Sequence, residues 1–186
     1  SNIWIATSGG GLYKYFQNNF QHFDATSGLK GNRIYAVHNA EDGIWISSSE
    51  AGLTKIDSLG IHHLPKINNF TDVKIKTITS GVNGNIWAGS EGRGILLRAT
   101  KQIDSIAFDA TDSLNIITKN IPKTVIKNHV LNTNNGFPSN WIRKLIKGEN
   151  TIWAATYSSG IVQFNYDTDK DSLIIRKVYG KKEGIT

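Results

Sequence analysis

An Ile-Trp pair recurs four times along this 186-residue chain, in similar surroundings each time. The tryptophans are Trp4, Trp45, Trp87 and Trp153, and the gaps between them are 41, 42 and 66 residues, the last being one 42-residue period plus 24 extra residues. A period of about 40–45 residues with four strands per unit is typical of a β-propeller blade. Helical repeats of this length would show apolar residues every 3.6 positions, and the chain has no such pattern. The repeat therefore predicts an all-β fold.

One complete unit shows how four strands fit into the period. Its first segment, RIYAVHN, alternates as a strand does, and the Asp42-Gly43 pair that follows is a hairpin signal. A second apolar run precedes Gly52, where the next turn is expected. The predicted strands are residues 33–39, 44–47, 53–57 and 60–64.

The run IWIA at 3–6 indicates how the units pack. Neighbouring strand residues point to opposite faces, so Ile3 and Ile5 share one face while Trp4 and Ala6 share the other. Both faces are apolar, which favours a sheet packed between two others, whereas a two-layer sandwich leaves one face polar. The glycines at 9–11 allow positive φ in the tight connection that follows.

The units predict a β-propeller fragment of about four four-stranded antiparallel blades. The predicted blades span 3–24, which lacks its first strand, 33–64, 73–130 and 141–179. The 24 extra residues lie near 100–128 and are interpreted as a lengthened outer strand plus an added hairpin. Propellers close with about 4–8 blades, so we expect the chain to be part of a larger ring. A homodimer in which two chains close one ring is the alternative.

The segments NIWIATSGGGLYKY (2–15), SGLKGNRIYAV (27–37) and NGFPSNWIRKLI (135–146) resemble the two-component regulator propeller repeat. That repeat runs Gly-Leu-Pro-Ser-Asn, a strand, Asp-Gly-Asn-Ile-Trp-Ile-Gly-Thr and Gly-Gly-Leu. The resemblance covers nearly the whole chain apart from the insert. It is weakest before the third blade, where NNFTD at 68–72 replaces the Gly-Leu linker.

This resemblance implies a periplasmic sensor module. Members of the family carry large propellers, often two in tandem, followed by an immunoglobulin-like domain, a membrane span, a histidine kinase and commonly a response regulator. They occur in Gram-negative gut bacteria and often respond to glycan fragments. The partners implied for this chain are therefore an oligosaccharide or other small molecule, the remaining blades and the immunoglobulin-like domain.

The charge and composition narrow the class of partner. The formal net charge is +6, but the lysines are scattered singly, as on a solvated surface, so we expect no contact with nucleic acid. The alternative is that some of them help to hold an anionic partner. No run of apolar residues approaches the roughly 18 needed for a membrane span, and cysteine is absent.

No motif in the sequence indicates catalysis, a metal or a cofactor. The histidines, at 22, 38, 62, 63 and 129, lack ligand spacing, and GGG at 9–11 is not followed by the Lys-Ser/Thr of a phosphate-binding loop. Asp167, Asp169 and Asp171 begin like a calcium loop, but the expected glycine and glutamate are Ser172 and Val178. This segment is interpreted as a polar loop between the third and fourth strands.

A ligand is expected at the propeller face built by the fourth-to-first and second-to-third strand loops, because small-ligand sites favour concave mouths with convergent polar groups. The candidate ligand-binding residues are Arg33, Arg93, Trp141 and Tyr157. Arginine holds carboxylate or sulfate groups bidentately, and aromatic rings stack on sugars. Trp141 either lies near this face or packs in the core.

Two other functions remain open from the sequence. A glycosidase or lyase would need two carboxylates about 5–9.5 Å apart at the mouth. The loops of that face contain few acids, namely Asp24, Glu50, Asp72 and Glu91, of which Glu50 and Glu91 occupy equivalent loops. A protein-interaction scaffold is the third possibility.

Overall fold

The computed structural model describes residues 2–49, 52–65, 67, 70, 73–109 and 117–185. In these residues fifteen strands form four antiparallel sheets, and each sheet keeps its strands in chain order. Blade 1 contains β1 (Ile3–Ala6), β2 (Leu12–Phe16) and β3 (Asn19–Phe23). Blade 2 contains β4 (Ile34–Ala40), β5 (Gly43–Ser48), β6 (Gly52–Asp57) and β7 (Gly60–His63).

Blades 3 and 4 complete the described architecture. Blade 3 contains β8 (Ile75–Ser80), β9 (Ile86–Ser90), β10 (Ile95–Asp109) and β11 (Ile117–Leu131). Blade 4 contains β12 (Ile142–Lys147), β13 (Ile152–Thr156), β14 (Ile161–Asp167) and β15 (Ser172–Tyr179). The prediction of an all-β propeller fragment with an incomplete first blade is confirmed. Helical segments in the described residues are short 3₁₀ turns, and none is long and apolar enough to cross a membrane.

The first strands of successive blades hold the sheets together. β4 contacts β8, and β8 contacts β12, which makes these three the inner strands of the fragment. Hydrogen bonds cross between the blades: the Ser47 hydroxyl donates to the Ile75 carbonyl at 2.8 Å, and the Leu145 amide donates to the Thr77 hydroxyl at 3.0 Å. These bonds satisfy polar groups that the packed faces would otherwise bury without partners.

The apolar core lies between the sheets, in three clusters. Trp45 is 1% exposed in the cluster between blades 2 and 3, and Trp87 is 4% exposed in the cluster between blades 3 and 4. All residues of β9 are buried, as expected for a strand covered on both faces. The predicted burial of the repeated indole rings is therefore confirmed for the two middle blades.

The end blades differ because each has a neighbour on one side in the described chain. Trp4 packs on the cluster between blades 1 and 2 and is partly buried, but Ile3 and Ile5 on the opposite face are exposed. Trp153 is half-buried and stacks on Tyr179, with ring centroids 5.7 Å apart. Within this chain, β1 is therefore covered on one face, by blade 2.

In blades 3 and 4 a glycine directly precedes the third strand, where its backbone has positive φ and passes close to the fourth strand. Gly94 has φ of 82°, and a Cβ there would lie 2.0 Å from the Leu131 carbonyl oxygen. Gly160 in blade 4 repeats this geometry against Tyr179. Gly94 and Gly160 are therefore required by both conformation and space.

The extra residues of blade 3 lengthen two strands. β10 and β11 have 15 residues each and pair continuously from Ile95–Leu131 to Asp109–Ile117. The interpretation as a lengthened outer strand plus an added hairpin is therefore corrected, because the third and fourth strands extend together in one continuous ladder. One continuous ladder leaves fewer backbone groups without partners than a separate hairpin would.

Candidate functional site

Each inner strand carries one extra residue at the same place near its start. In blade 2, Ile34 and Ala36 pair with consecutive residues of β5, which leaves Tyr35 outside the ladder. The same shift leaves out Lys76 in blade 3 and Arg143 in blade 4. Such β-bulges bend a strand and redirect a side chain, and they are common beside functional sites.

The bulged residues meet two loop residues and one residue preceding β12 in a continuous group, which we call the mouth cluster. The Lys76 ammonium lies 5.2 Å above the Tyr35 ring and 3.6 Å from a Glu91 carboxylate oxygen. The same oxygen lies 3.7 Å from Nη1 of Arg143. The mouth cluster consists of Tyr35, Lys76, Glu91, Trp141, Arg143 and Tyr157.

Two aromatic rings form the exposed side of the mouth cluster. Trp141 is 49% exposed and Tyr157 is 69% exposed, and their ring centroids are 6.4 Å apart. The Tyr157 amide donates to the Trp141 carbonyl at 3.0 Å, which links the loop after β13 to the start of β12. The guanidinium of Arg143 lies 4.7 Å from the Tyr157 ring centre. The surface combines apolar rings with adjacent charged groups, as small-ligand sites do.

Of the four residues predicted to bind a ligand, the structure brings Trp141 and Tyr157 together. Trp141 lies at the mouth and not in the core, since about half of its surface is exposed. Arg33 occupies the position in blade 2 that Trp141 occupies in blade 4. The backbone of Arg33 forms an isolated antiparallel β-bridge with Ser8, and that of Trp141 forms one with Glu91. Arg33 is exposed at that position.

Arg93 belongs to the same loop as Glu91 and lines an open groove with a cavity volume of about 750 Å³. The groove runs between β11 and the two linkers that follow blades 2 and 3, and it is lined in part by Phe70, Lys127 and Asn140. Asn140 holds the linker, because its side-chain oxygen accepts from the Thr133 amide at 2.8 Å. The groove is therefore partly built from residues that stabilise the backbone.

Lys76, Arg143 and Tyr35 were missed by the sequence analysis. When the inner strands RIYAV, KIKTI and WIRKL are aligned, the three residues share one column, directly after an isoleucine. That column is the signal that could have found them. The sequence does not reveal the bulge, because bulges arise from pairing with the neighbouring strand.

The acidic residues in the loops of the expected ligand face have separate roles. Asp24 caps the linker after blade 1 by accepting backbone hydrogen bonds from Thr26 and Ser27, and Glu91 belongs to the mouth cluster. Glu50 and Asp72 lie outside the described residues, so the Glu50–Glu91 pair relevant to a glycosidase stays a prediction. In the described part of the chain, no group of three or more histidine or acidic side chains is placed to hold a metal ion.

A second charged cluster joins the long hairpin to blade 4. Asp171 lies in the turn between β14 and β15 and contacts Lys127 at 2.6 Å, His129 at 2.8 Å and the Tyr166 hydroxyl. Lys127 and then Tyr166 lower the pKa of Asp171 to about 2. Burial lowers the pKa of His129 and raises that of Tyr166. The cluster connects two blades, so its geometry accounts for a structural role.

Comparison with solved structures finds a similar fold in the extracellular domain of a bacterial protein. The extracellular domain of the putative hybrid two-component system BT3049 from B. thetaiotaomicron aligns over 100% of the chain with a TM-score of 0.67 and 16% identity. The fold predicted from the repeat is thereby confirmed. The chain spans 22% of the length of that domain.

Two structures of the extracellular domain of BT4673 from the same organism also match, one as a putative one-component and one as a putative hybrid two-component system. They align over 89% and 90% of this chain, with TM-scores of 0.49 and 0.48 and identities of 17% and 20%. The match covers 26% of each of those chains. No protein-family model and no curated protein matches this chain.

Proposed function

We propose that this chain is part of the periplasmic, ligand-sensing propeller of a two-component sensor histidine kinase, and that it binds a glycan fragment at the mouth cluster. The observation that carries the binding proposal is the pair of exposed rings, Trp141 and Tyr157, next to the guanidinium of Arg143. The sensor role is supported by the repeat resemblance and by the fold shared with the extracellular domain of BT3049.

The mouth cluster has the parts that sugar recognition needs. A pyranose ring stacks its apolar face on an aromatic side chain, while its hydroxyl groups exchange hydrogen bonds with charged groups beside it. Trp141 and Tyr157 supply the rings, and Glu91 and Arg143 supply an acceptor and donors. The parts come from blades 3 and 4, so a bound sugar would contact both.

Signalling follows from a shift between conformations. A ligand changes the balance between two arrangements of a sensor only through its difference in affinity for them. We expect the relevant arrangements to involve the remaining blades, the immunoglobulin-like domain and a homodimer of the parent protein, with transcription as the regulated output.

The proposal is tested by titrating the chain with a panel of oligosaccharides in a calorimeter, before and after Trp141→Ala. Loss of the ring is expected to weaken binding at least tenfold, because aromatic anchors dominate the affinity of such sites. Phe20→Ala is the matched control, since Phe20 is 66% exposed on β3, outside the mouth cluster. Its affinity is expected to stay within twofold of the parent.

Three outcomes would contradict the proposal in different ways. Equal affinity in Trp141→Ala and the parent would exclude the mouth cluster as the site. Cleavage of the oligosaccharides by the chain alone would favour a glycosidase or lyase. Binding to a protein partner, with no oligosaccharide bound, would favour an interaction scaffold.

A further inference from the structure

The charges of the mouth cluster are unequal in number. Lys76 and Arg143 share the single carboxylate of Glu91, at 3.6 and 3.7 Å. Close charge-assisted hydrogen bonds are about 2.7–2.9 Å long, so neither cation makes its full interaction with Glu91. The Glu91 side chain is 20% exposed, whereas those of Lys76 and Arg143 are 34% and 51% exposed. The cations therefore remain accessible from solvent while their counter-ion is more covered.

Aromatic rings hold both cations in place. The Lys76 ammonium lies 5.2 Å above Tyr35, and the Arg143 guanidinium lies 4.7 Å from the centre of Tyr157. A guanidinium stacked on a ring keeps its N–H groups free at the edges, where they match the two oxygens of a carboxylate. Because the rings and bulges already order these side chains, an anion would bind at a lower entropic cost.

A third cation adjoins the group. The Glu91 amide donates to the Lys74 carbonyl at 2.9 Å, so Lys74 lies directly beside Glu91, and its side chain is exposed. Lys74 therefore adds an exposed positive charge beside the backbone of Glu91, while Lys76 and Arg143 face the Glu91 carboxylate. The surplus of positive charge is next to the sugar-stacking ring of Trp141, with Tyr157 between Arg143 and Trp141.

We infer that the mouth cluster selects an acidic oligosaccharide: a uronate carboxylate binds between Arg143 and Lys76 while the adjoining sugar ring stacks on Trp141. This inference rests on the proposed function and adds the charge of the ligand. Glu91 acts as the internal counter-ion that the ligand carboxylate supplements, and it weakens binding by repelling that carboxylate. A guanidinium binds either a carboxylate or a sulfate through two oxygens, so the choice of a carboxylate is tested below against a sulfated sugar.

The test compares tetragalacturonate with its methyl ester, two probes that differ in charge and hardly in shape. Inorganic sulfate is a third probe, which measures non-specific attraction of anions. Calorimetry of the chain is expected to show at least tenfold tighter binding of the acid than of the ester. Arg143→Gln and Lys76→Gln are each expected to lose about tenfold for the acid and less than twofold for the ester. Glu91→Gln is expected to bind the acid several-fold more tightly, since a repulsive charge is removed.

Arg176→Gln is the matched control, because Arg176 is exposed on β15, the outer strand of blade 4. Its affinity for the acid is expected to be unchanged, and near-ultraviolet circular dichroism of every variant is expected to match the parent. A hyaluronan tetrasaccharide provides a second uronate with different linkages, and a sulfated neutral tetrasaccharide separates sulfate from carboxylate recognition.

Each contrary result is informative. Equal binding of acid and ester, or neutral sugars bound where both uronates are not, overturns the inference and leaves the proposed sugar-binding function intact. Tighter binding of the sulfated probe than of the uronates overturns the choice of carboxylate. Inorganic sulfate bound as tightly as the acid, or equal losses in Arg143→Gln and Arg176→Gln, would mean non-specific attraction of anions. No binding of any sugar would contradict the inference and the proposed function together.

Discussion

The junction between blades 1 and 2 and the junction between blades 3 and 4 have the same backbone but different side chains. In each junction, a residue in the loop after the second strand of one blade forms a β-bridge with the residue before the first strand of the next blade. The pairs are Ser8–Arg33 and Glu91–Trp141. The backbone amides of Gly11 and Gly94 donate to the carbonyls of Asn32 and Asn140.

The linkers of the two junctions also match residue by residue. Asp24 and Asn132 each cap a short 3₁₀ turn that ends at a glycine with positive φ, at 104° in Gly28 and 90° in Gly136. A buried apolar residue follows. Leu29 is 4% exposed in the first junction, and Phe137 is 1% exposed in the second.

The side chains at the mouth show what is free to vary. The first junction presents Arg33 and Ser8, whereas the second presents Trp141 and Glu91, and the mouth cluster forms around the latter pair. The residues that carry the family resemblance, such as Gly136 and Phe137, therefore build the frame. The side chains of the mouth cluster occupy neighbouring positions, which the repeat does not specify.

The largest loss of stability is expected when the buried apolar residue of each linker is truncated. Phe137→Ala is expected to lower the free energy of unfolding by about 4 kcal/mol, and Leu29→Ala by about 3 kcal/mol, because large buried side chains leave cavities when truncated. Phe137 also loses its contact with Phe164, 5.1 Å away between ring centroids. Urea unfolding monitored by tryptophan fluorescence measures both. Equal losses well below 2 kcal/mol would mean that the linkers are not anchored through these residues.

A smaller loss of stability is expected from alanine substitutions at two glycines of the junction between blades 3 and 4, Gly94 and Gly136. Both have positive φ, but a Cβ on Gly94 would lie 2.0 Å from a backbone oxygen, whereas a Cβ on Gly136 would meet no atom within 4 Å. Gly136→Ala is therefore expected to cost about 1 kcal/mol from backbone strain alone, and Gly94→Ala about 3 kcal/mol. The same urea titration compares them. Similar costs for the two variants would show that the close approach is relieved by a small shift of β11.

The smallest effect on stability is expected from Asp24, which caps the 3₁₀ turn of the first linker, and it depends on pH. A hydrogen bond from the Thr26 hydroxyl lowers the pKa of Asp24 below 3.8; desolvation opposes this, and the Ser27 and Thr26 amides lower the pKa further. A lowered pKa in the folded state means that the cap stabilises the fold above pH 3.8 and that this contribution is lost as the pH falls through the folded pKa. The equivalent Asn132 does not titrate.

We therefore expect Asp24→Asn to reduce the acid sensitivity of the chain. Between about pH 5 and about pH 3, the urea midpoint of the parent should fall more steeply than that of the variant. Asn132→Asp is the converse control and should add acid sensitivity of the same sign to the other junction. Parallel curves for the parent and both variants would show that the caps contribute nothing that depends on charge.

The candidate site was only partly predictable. Trp141 and Tyr157 were found because they stand in predicted loops of one face, and the structure places them 6.4 Å apart between ring centroids. Arg93 belongs to the same loop as Glu91 and lines the groove beside β11, and its role in ligand binding stays a prediction. Lys76 and Arg143 were missed because the candidate residues were sought in loops, whereas these two belong to strands.

The sequence by itself determined the repeat, the blade order and the burial of Trp45 and Trp87, because periodic apolar residues and turn glycines act locally and recur in each unit. Only the tertiary structure decided that β10 and β11 extend together and that Tyr35, Lys76 and Arg143 leave their ladders. Those features depend on the pairing of strands and on contacts between blades. Such contacts join residues far apart in the chain, and no local pattern specifies them.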